Sequence, residues 1–414
     1  MPWRTCRRKG AGASQPSEVI VSSVPVDAPA PRAVPGVLWA LLFGNFVIGT
    51  GVMTVPGTLN EISESLAVSV ATAGQLITAG AVLMCLGAPL LAALVAGWDR
   101  RRLLALSMAW YAVLHVACAL APGFGWLLVL RVLSLVPPAI FTPQAAASIG
   151  LLVPPHERGR AITFIFLGWS LASVLGMPIS AFVGGTFGWR AAFLVVAALS
   201  VASAWWTWRA LPDNVRPPAL SRAAWGSVLR SRALMAGVAV TVLSGCGQFV
   251  LFSYFAPYFK QLLGLSAAAL SLFFMWFGAF GLVGNMVMAR YVDRMGAPLA
   301  VMIGLGLIAA SLLLFPLGTT LWLAALVSVP WALGCFSSNS AQQARLVGIA
   351  PPLASASVAL NSSGIYAGQA IGAAVGGWLI SRGGMETLHW AGLAGMLVAM
   401  VVSALATRYT RRGE

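Results

Sequence analysis

Charge is scarce in this sequence. Asp, Glu, Lys and Arg make up 8% of its 414 residues, and only ten residues are acids. Histidine occurs three times and cysteine five times. A water-soluble chain is usually about 25% charged and about 45–50% apolar, whereas this one is 59% hydrophobic with a mean hydropathy of +0.88. Cys6, Cys85, Cys118, Cys246 and Cys335 have neither metal-ligand spacing nor a disulfide framework, and read as small packing residues. The sequence shows no phosphate-binding loop, ligand cluster or nucleophile–base pair, so no enzyme, metal site or cofactor is expected. An ATP-driven pump would need a nucleotide domain for which there is no room. The net charge of +15 would suggest nucleic acid in a soluble protein. Here the bases flank apolar runs, so membrane topology explains them and no nucleic-acid partner is expected.

What is present is a succession of apolar runs of about 20 residues, long enough to cross a bilayer as helices. They do not alternate as porin strands do, and a lipid-exposed segment must satisfy its own backbone, so the chain reads as an all-α membrane protein. Gly, Pro and charge divide the runs into twelve spans: 36–57, 73–97, 103–121, 124–152, 159–186, 190–209, 233–257, 267–292, 297–317, 320–347, 354–381 and 386–407. Residues 1–35 read as a disordered cytosolic tail. Its Arg4, Arg7, Arg8 and Lys9 lie too far from the first run for a signal peptide. All but four of the 25 lysines and arginines fall on one side of these spans. Arg190, Lys260 and Arg382 lie on the other side and Arg131 lies inside a span. Bases stay in the cytosol, so both termini are expected there.

The two halves repeat. At an offset of 197, Leu66-Ala67-Val68-Ser69 falls on Leu263-Gly264-Leu265-Ser266, and Pro154-Pro155 on Pro351-Pro352. At 196, Gly168, Gly176 and Ser180 meet Gly364, Gly372 and Gly376. The expected organisation is a six-helix half over 36–209, a cytosolic linker over 210–232, a second half over 233–407 and a short tail over 408–414. Repeated halves with a site between them are the plan of many secondary transporters.

Local motifs sharpen this reading. "GNMVMARYVDRMG", Gly284 to Gly296, resembles the loop signature of the major facilitator superfamily. "GAPLLAALVAGWDRRR", Gly87 to Arg102, is its counterpart, with Ala96 in place of the signature's Asp and Asp99 where its Gly would be. "LVLRVLS", Leu128 to Ser134, resembles the fourth-helix motif, its Arg being Arg131 and Leu135 replacing the usual Gly. "GWSLASVLGMPIS", Gly168 to Ser180, resembles the fifth-helix motif of antiporter-type members. "FVIGTGVMTVPGTLNEI", Phe46 to Ile62, is similar to the first helix of the drug and sugar efflux branch, without the acid many members carry near Gly51 or Val52. The resemblance implies two pseudo-symmetric six-helix halves, alternating access and efflux. It also implies proton antiport in a monomer of the inner or plasma membrane.

Within the spans, ionisable residues are functional candidates. Glu18, Asp27, Asp99, Glu157, Asp213, Asp293 and Glu414 place on the cytosolic side, and Glu61, Glu64 and Glu386 on the outer side, so no carboxylate reaches the midplane. Arg131 remains, to be satisfied by backbone carbonyls, a water chain or an anionic group on the substrate; the resemblance implies a part in proton coupling for it, and His115 is the candidate proton carrier. Depth along matched spans nominates Asn45, Trp169, Gln248, Phe252, Trp331, Tyr366 and Gln369 for a substrate cavity, with Tyr254 and Tyr258 nearer the outer mouth. Asp99, Arg100, Asp293 and Arg294 are the candidate gate, Asp293 near Arg158 and Arg160 and Asp99 matching it near the eleventh span. Trp39, Trp126, Trp189, Trp205, Trp206, Trp322 and Trp378 read as interface anchors. The Asn361-Ser362-Ser363 triplet lies in a span and is discounted for glycosylation. The expected partners are a small-molecule substrate, the bilayer and protons. A facilitator or exchanger of a neutral or anionic solute, without carboxylate coupling, is the alternative. A receptor or assembly factor that kept the fold is the third reading.

Overall fold

The computed structural model describes residues 35–95, 97–154, 157–216, 222–350 and 353–412, so the expected tail over 1–35 lies almost wholly outside them. The first half comprises α1 (Pro35–Gly57), the short α2 (Leu59–Ser65), α3 (Val70–Leu94), α4 (Arg100–Ala119), α5 (Phe124–Ser134), α6 (Val136–Leu152), α7 (Arg158–Leu171), α8 (Met177–Phe187) and α9 (Trp189–Ala210). After α10 (Arg222–Arg230) come α11 (Arg232–Phe252), α12 (Phe255–Leu263), α13 (Ala267–Met295), α14 (Ala297–Leu314), α15 (Leu321–Ile349), α16 (Ala354–Ser381) and α17 (Leu388–Arg412). Three spans are interrupted. Pro137 and Pro138 open α6 after the break at Leu135, a π turn over Ala172–Gly176 joins α7 to α8, and Ser253 and Tyr254 separate α11 from α12.

Among the described residues, eleven helical stretches are long and apolar enough to cross a bilayer. The twelfth span is α16, 28 residues long, whose Gly, Ser, Asn and Gln lower its hydropathy. The chain is a multi-pass integral membrane protein of two pseudo-symmetric six-helix halves. The expected linker is not merely an extended connection. Its α10 buries Val228 against Leu234, Leu346 and Ala356 of the second half.

The repeat recurs in the contacts. Ser69 and Ser266 each cap the following helix, accepting from Thr72 N and Ala269 N. Two residues earlier, Ala67 and Gly264 both have positive φ, 51° and 63°. A Cβ on Gly49 would meet Ala172 and Trp169, and one on Gly245 would meet Gly368 and Ile365, the same pairing displaced by 196 positions. The small residues allow backbones to touch where lipid supplies no hydrophobic drive for helix association.

The halves meet along two long seams, α3 against α16 and α8 against α13. At the face opposite the termini, α12 also touches α1 and α2, and Lys260 Nζ lies 2.7 Å from Glu64 Oε1. On the terminal face, α6 packs on α1, α3, α4 and α7, while α15 packs on α11, α13, α14 and α16. The two halves are thereby bridged at the far face.

Of the tryptophans expected as interface anchors, Trp39, Trp126, Trp205, Trp322 and Trp378 are exposed. Trp206 is half-buried, its ring 5.5 Å from that of Phe43. Trp189 is corrected. It is 1% exposed and packs edge-on against Phe193, because a span-end residue on the inner face of α9 points into the bundle rather than toward lipid.

Candidate functional site

The main cavity encloses about 760 Å³, its open mouth included, and lies mostly in the second half. Thr241, Ser244, Gln248, Phe249 and Phe252 line it from α11, Cys335, Phe336, Asn339 and Gln342 from α15, and Met53 from α1. The wall is apolar and aromatic, interrupted by amides and hydroxyls and by no charged group. That composition suits a small polar organic molecule. Gln248 and Phe252, nominated by depth, line this cavity. Trp331 does not line the cavity. It is fully buried behind Gln248, donates Nε1–H to Gln248 Oε1 at 3.1 Å, and sits among Phe252, Phe255, Phe277 and Phe315. Trp331 therefore fixes the rotamer of a lining amide.

Asn45 and Trp169 also have a different place. Buried Asn45 donates Nδ2–H to Ile165 O at 3.1 Å, Thr142 Oγ1 donates to Asn45 Oδ1 at 2.8 Å, and Trp169 Nε1 donates to Thr142 Oγ1 at 3.3 Å. This clamp ties α1, α6 and α7. Offset by 196 or 197 positions, Thr241 Oγ1 donates to Asn361 Oδ1 at 2.5 Å and Asn361 Nδ2 donates to Asn339 Oδ1 at 3.4 Å, tying α11, α15 and α16. The first clamp is covered by the Trp169 indole. The second has Ile365 at that position, and Thr241, Asn339 and Ile365 line the cavity. Sequence reasoning missed Thr241, Asn339 and Gln342. The repeat offset was the signal that would have found the first two.

A second, narrow crevice is lined by Val52, Leu76, Ile77, Ala81, Met84, Arg131, Leu135 and Gln369, with room for about one water. It brings Arg131 of the first half to Gln369 of the second. Arg131 is 2% exposed. Its Nη2 donates to Val52 O at 3.1 Å, while Nε and Nη1 lack a hydrogen-bond partner among the described residues. The Tyr111 oxygen sits beside the guanidinium, and its hydroxyl proton goes to Ile48 O at 3.2 Å. Tyr366 stands on the same side of α16 as Gln369, three residues away. Burying a lone cation costs about 2.5–3.5 kcal/mol on insertion scales. Arg345 shows how this chain satisfies a structural arginine. At 4% exposure it donates Nη1–H to Ser403 Oγ at 3.0 Å, and Nη2–H to Ser403 O at 3.3 Å and Thr407 Oγ1 at 3.0 Å.

His115, the candidate proton carrier, is packed between α4 and α9 rather than on a cavity wall. Its ring lies 4.1 Å from that of Tyr111 and 5.6 Å from that of Phe193, and Nδ1 pairs with Tyr111 O at 2.8 Å.

The acid-and-base turn after α3 works locally. Asp99 Oδ1 accepts from Arg102 N at 3.1 Å and caps α4, rather than reaching the start of α16. Buried Arg100 donates to Val95 O at 3.0 Å and Trp98 O at 2.9 Å. Arg101 pairs with Asp213 at 2.7 Å and covers the Trp208 ring. The turn is thereby fastened to the end of α9. In the second half α13 approaches α7, but the Asp293 side chain lies outside the described residues, and Arg294 is exposed in the last turn of α13. At the far face, burial raises the Glu61 carboxyl above its ordinary value and nearby Lys260 pulls it partly back.

The Major Facilitator Superfamily profile matches residues 41–359. The chain is 26% identical over 372 residues to the uncharacterized MFS-type transporter YbcL of Bacillus subtilis, covering 89% of this chain and 95% of that one. It is 29% identical over 349 residues to the inner membrane transport protein YdhP of Escherichia coli, covering 84% and 89%. To a probable sugar efflux transporter of Helicobacter pylori it is 28% identical over 358 residues, covering 86% and 91%. The fold is similar to a D-xylose-proton symporter, with a TM-score of 0.72 at 18% identity over 89% of this chain and 96% of that one. It is also similar to an inward-facing bacterial homolog of the human lysosomal transporter Spinster, with a TM-score of 0.68 at 18% identity, covering 90% and 95%. On the profile match, the conserved helix plan and the repeated halves, the chain belongs to the major facilitator superfamily.

Proposed function

We propose that the protein is an efflux transporter of the inner membrane, working as a monomer with both termini cytosolic. It takes a small organic solute from the cytosol into the cavity walled by Thr241, Ser244, Gln248, Asn339 and Gln342, and releases it outside by alternating access. The observation that carries this reading is the cavity itself. It is a largely uncharged, hydrogen-bonding space in the second half that Met53 of the first half helps to line, in a molecule whose far face is bridged by α12, α2 and the Lys260–Glu64 pair. Relatives named inner membrane transport protein and probable sugar efflux transporter support the direction and a hydroxyl-bearing solute.

The proton-antiport version needs a titrating group in the cavity. None of the ten acids falls within the middle of a span, and His115 is off the wall. This favours a facilitator or exchanger without carboxylate coupling. The test is uptake of labelled D-xylose, D-glucose and D-glucuronate into inverted vesicles, compared with vesicles lacking the protein. Uptake of at least one probe above the control is expected, unchanged by an imposed pH gradient at fixed potential. Uptake that follows the pH gradient restores proton antiport, and uptake of every probe at no more than the control rate removes the transport reading for these solutes.

A further inference from the structure

Arg131 is a cation held almost out of water, with one geometric hydrogen bond, to Val52 O, and the neutral Tyr111 hydroxyl oxygen beside it. The same chain satisfies another buried arginine, Arg345, with three protein bonds from two nitrogens. Arg131 therefore differs from a guanidinium placed for packing. Its neighbours cannot supply the missing negative charge. Val52 offers a carbonyl, and Tyr111 keeps an oxygen toward it while donating its proton elsewhere. The other atoms of the crevice are aliphatic, except for the Gln369 amide.

Gln369 comes from the opposite half of the molecule. An amide donor and a guanidinium facing one crevice from two halves form a two-sided receptor for an oxyanion. The crevice has room for little more than one oxygen, so it receives the end of a molecule rather than the whole. The larger cavity lies beside it. Val52 lines the crevice and Met53 the cavity, and Gln369 lines the crevice one helical turn from Ile365 in the cavity wall. That cavity presents hydroxyls, amides and aromatic rings without charge.

We infer that the transported solute is an organic acid, one carboxylate oxygen of which enters the crevice between Arg131 and Gln369 while its polar body occupies the cavity of α11 and α15. This rests on the transport reading above and gives its substrate a chemical class. It also accounts for the missing membrane carboxylate. A monoanion leaving the cytosol is driven outward by the inside-negative membrane potential, so its export needs no protein group that titrates. The carboxylate would be shared by both halves only while the crevice is closed around it, which links occupancy to the relative position of α5 and α16.

Binding is separable from transport, so the test is made on purified full-length protein by thermal stability with matched probes. D-glucuronate and hippurate are each compared with their uncharged amides, glucuronamide and hippuramide, and with inorganic phosphate. At least one acid is expected to raise Tm, with an apparent affinity about tenfold or more above its amide, the value of a charge-assisted bond. Arg131→Gln should erase the preference for the acid, Arg131→Lys should keep part of it, and Gln369→Leu should weaken it. Equal responses to acid and amide, no response to any probe, phosphate matching the acids, or an acid preference that survives Arg131→Gln would each overturn the inference. Vesicle uptake of D-xylose with no acid preference in binding would leave the transport reading standing without this substrate class.

Discussion

Leucine in place of Gly368 is expected to abolish transport and to cut sharply the amount of protein that extracts as a single folded species. A Cβ at this position would overlap Val242 O and lie 2.9 Å from both Cys246 N and Gly245 Cα. These are backbone atoms of α11, which have no rotamer with which to yield. Overpacking a close contact costs about 1–3 kcal/mol or more even where side chains adjust, and here a helix must move. The symmetry-related position is Ala172, which already carries a methyl against Gly49, so the first half has taken up this volume in its spacing. Gly306→Leu is the control, because its Cβ would meet only Met400 Cε at 4.0 Å. Size-exclusion profiles and vesicle flux of the two variants check the expectation. Normal flux by Gly368→Leu would show that α11 and α16 are not in backbone contact.

Locking the far face is expected to stop transport without destroying binding. Lys260 Nζ and Glu64 Oε1 lie 2.7 Å apart, both on exposed side chains, across the seam between α12 and α2. The ion pair itself contributes little, since exposed pairs are worth about 0–1 kcal/mol. Its value is as a marker of which elements part. Cysteines at both positions, joined through two disulfides by a bis-methanethiosulfonate reagent as long as the two side chains, should reduce flux to that of empty vesicles. Reductant should restore it. Full flux with complete cross-linking would mean that this seam does not open during transport.

The fold was legible because bilayer physics leaves few options. Apolar length gave the helices, and the repeated turn of Ser69 and Ser266 gave the two halves. What misled was direction around each helix. Depth along a span says nothing about which way a side chain faces, so Trp331 and Asn45 were placed in the cavity when one stands behind its wall and the other clamps three helices. Arg131 and Gln369 were legible for opposite reasons, the first as a charge that lipid forbids and the second by depth. Their meeting in one crevice was not legible, since it depends on how the two halves dock. Thr241 and Asn339 were hidden because a single Thr or Asn in a span is unremarkable until its symmetry mate is known.

The structure also revises the meaning of the acid-and-base turns. Asp99 and Arg101 act on their own half, one as a helix cap and the other as a strap to Asp213 and Trp208. The charge cluster after α3 thus holds one half rigid, as a moving half must be.

The central claim is that one cavity is reached from each face in turn. Ser244 lines that cavity, and its hydroxyl makes only a local bond to Thr241 O. With the native cysteines replaced, Ser244→Cys is to be labelled with a membrane-impermeant thiol reagent from each face separately. The account predicts rapid labelling from the terminal face, slower labelling from the far face, and loss of the far-face reaction alone once positions 64 and 260 are cross-linked. Labelling from one face only, or far-face labelling that persists through the cross-link, would contradict it.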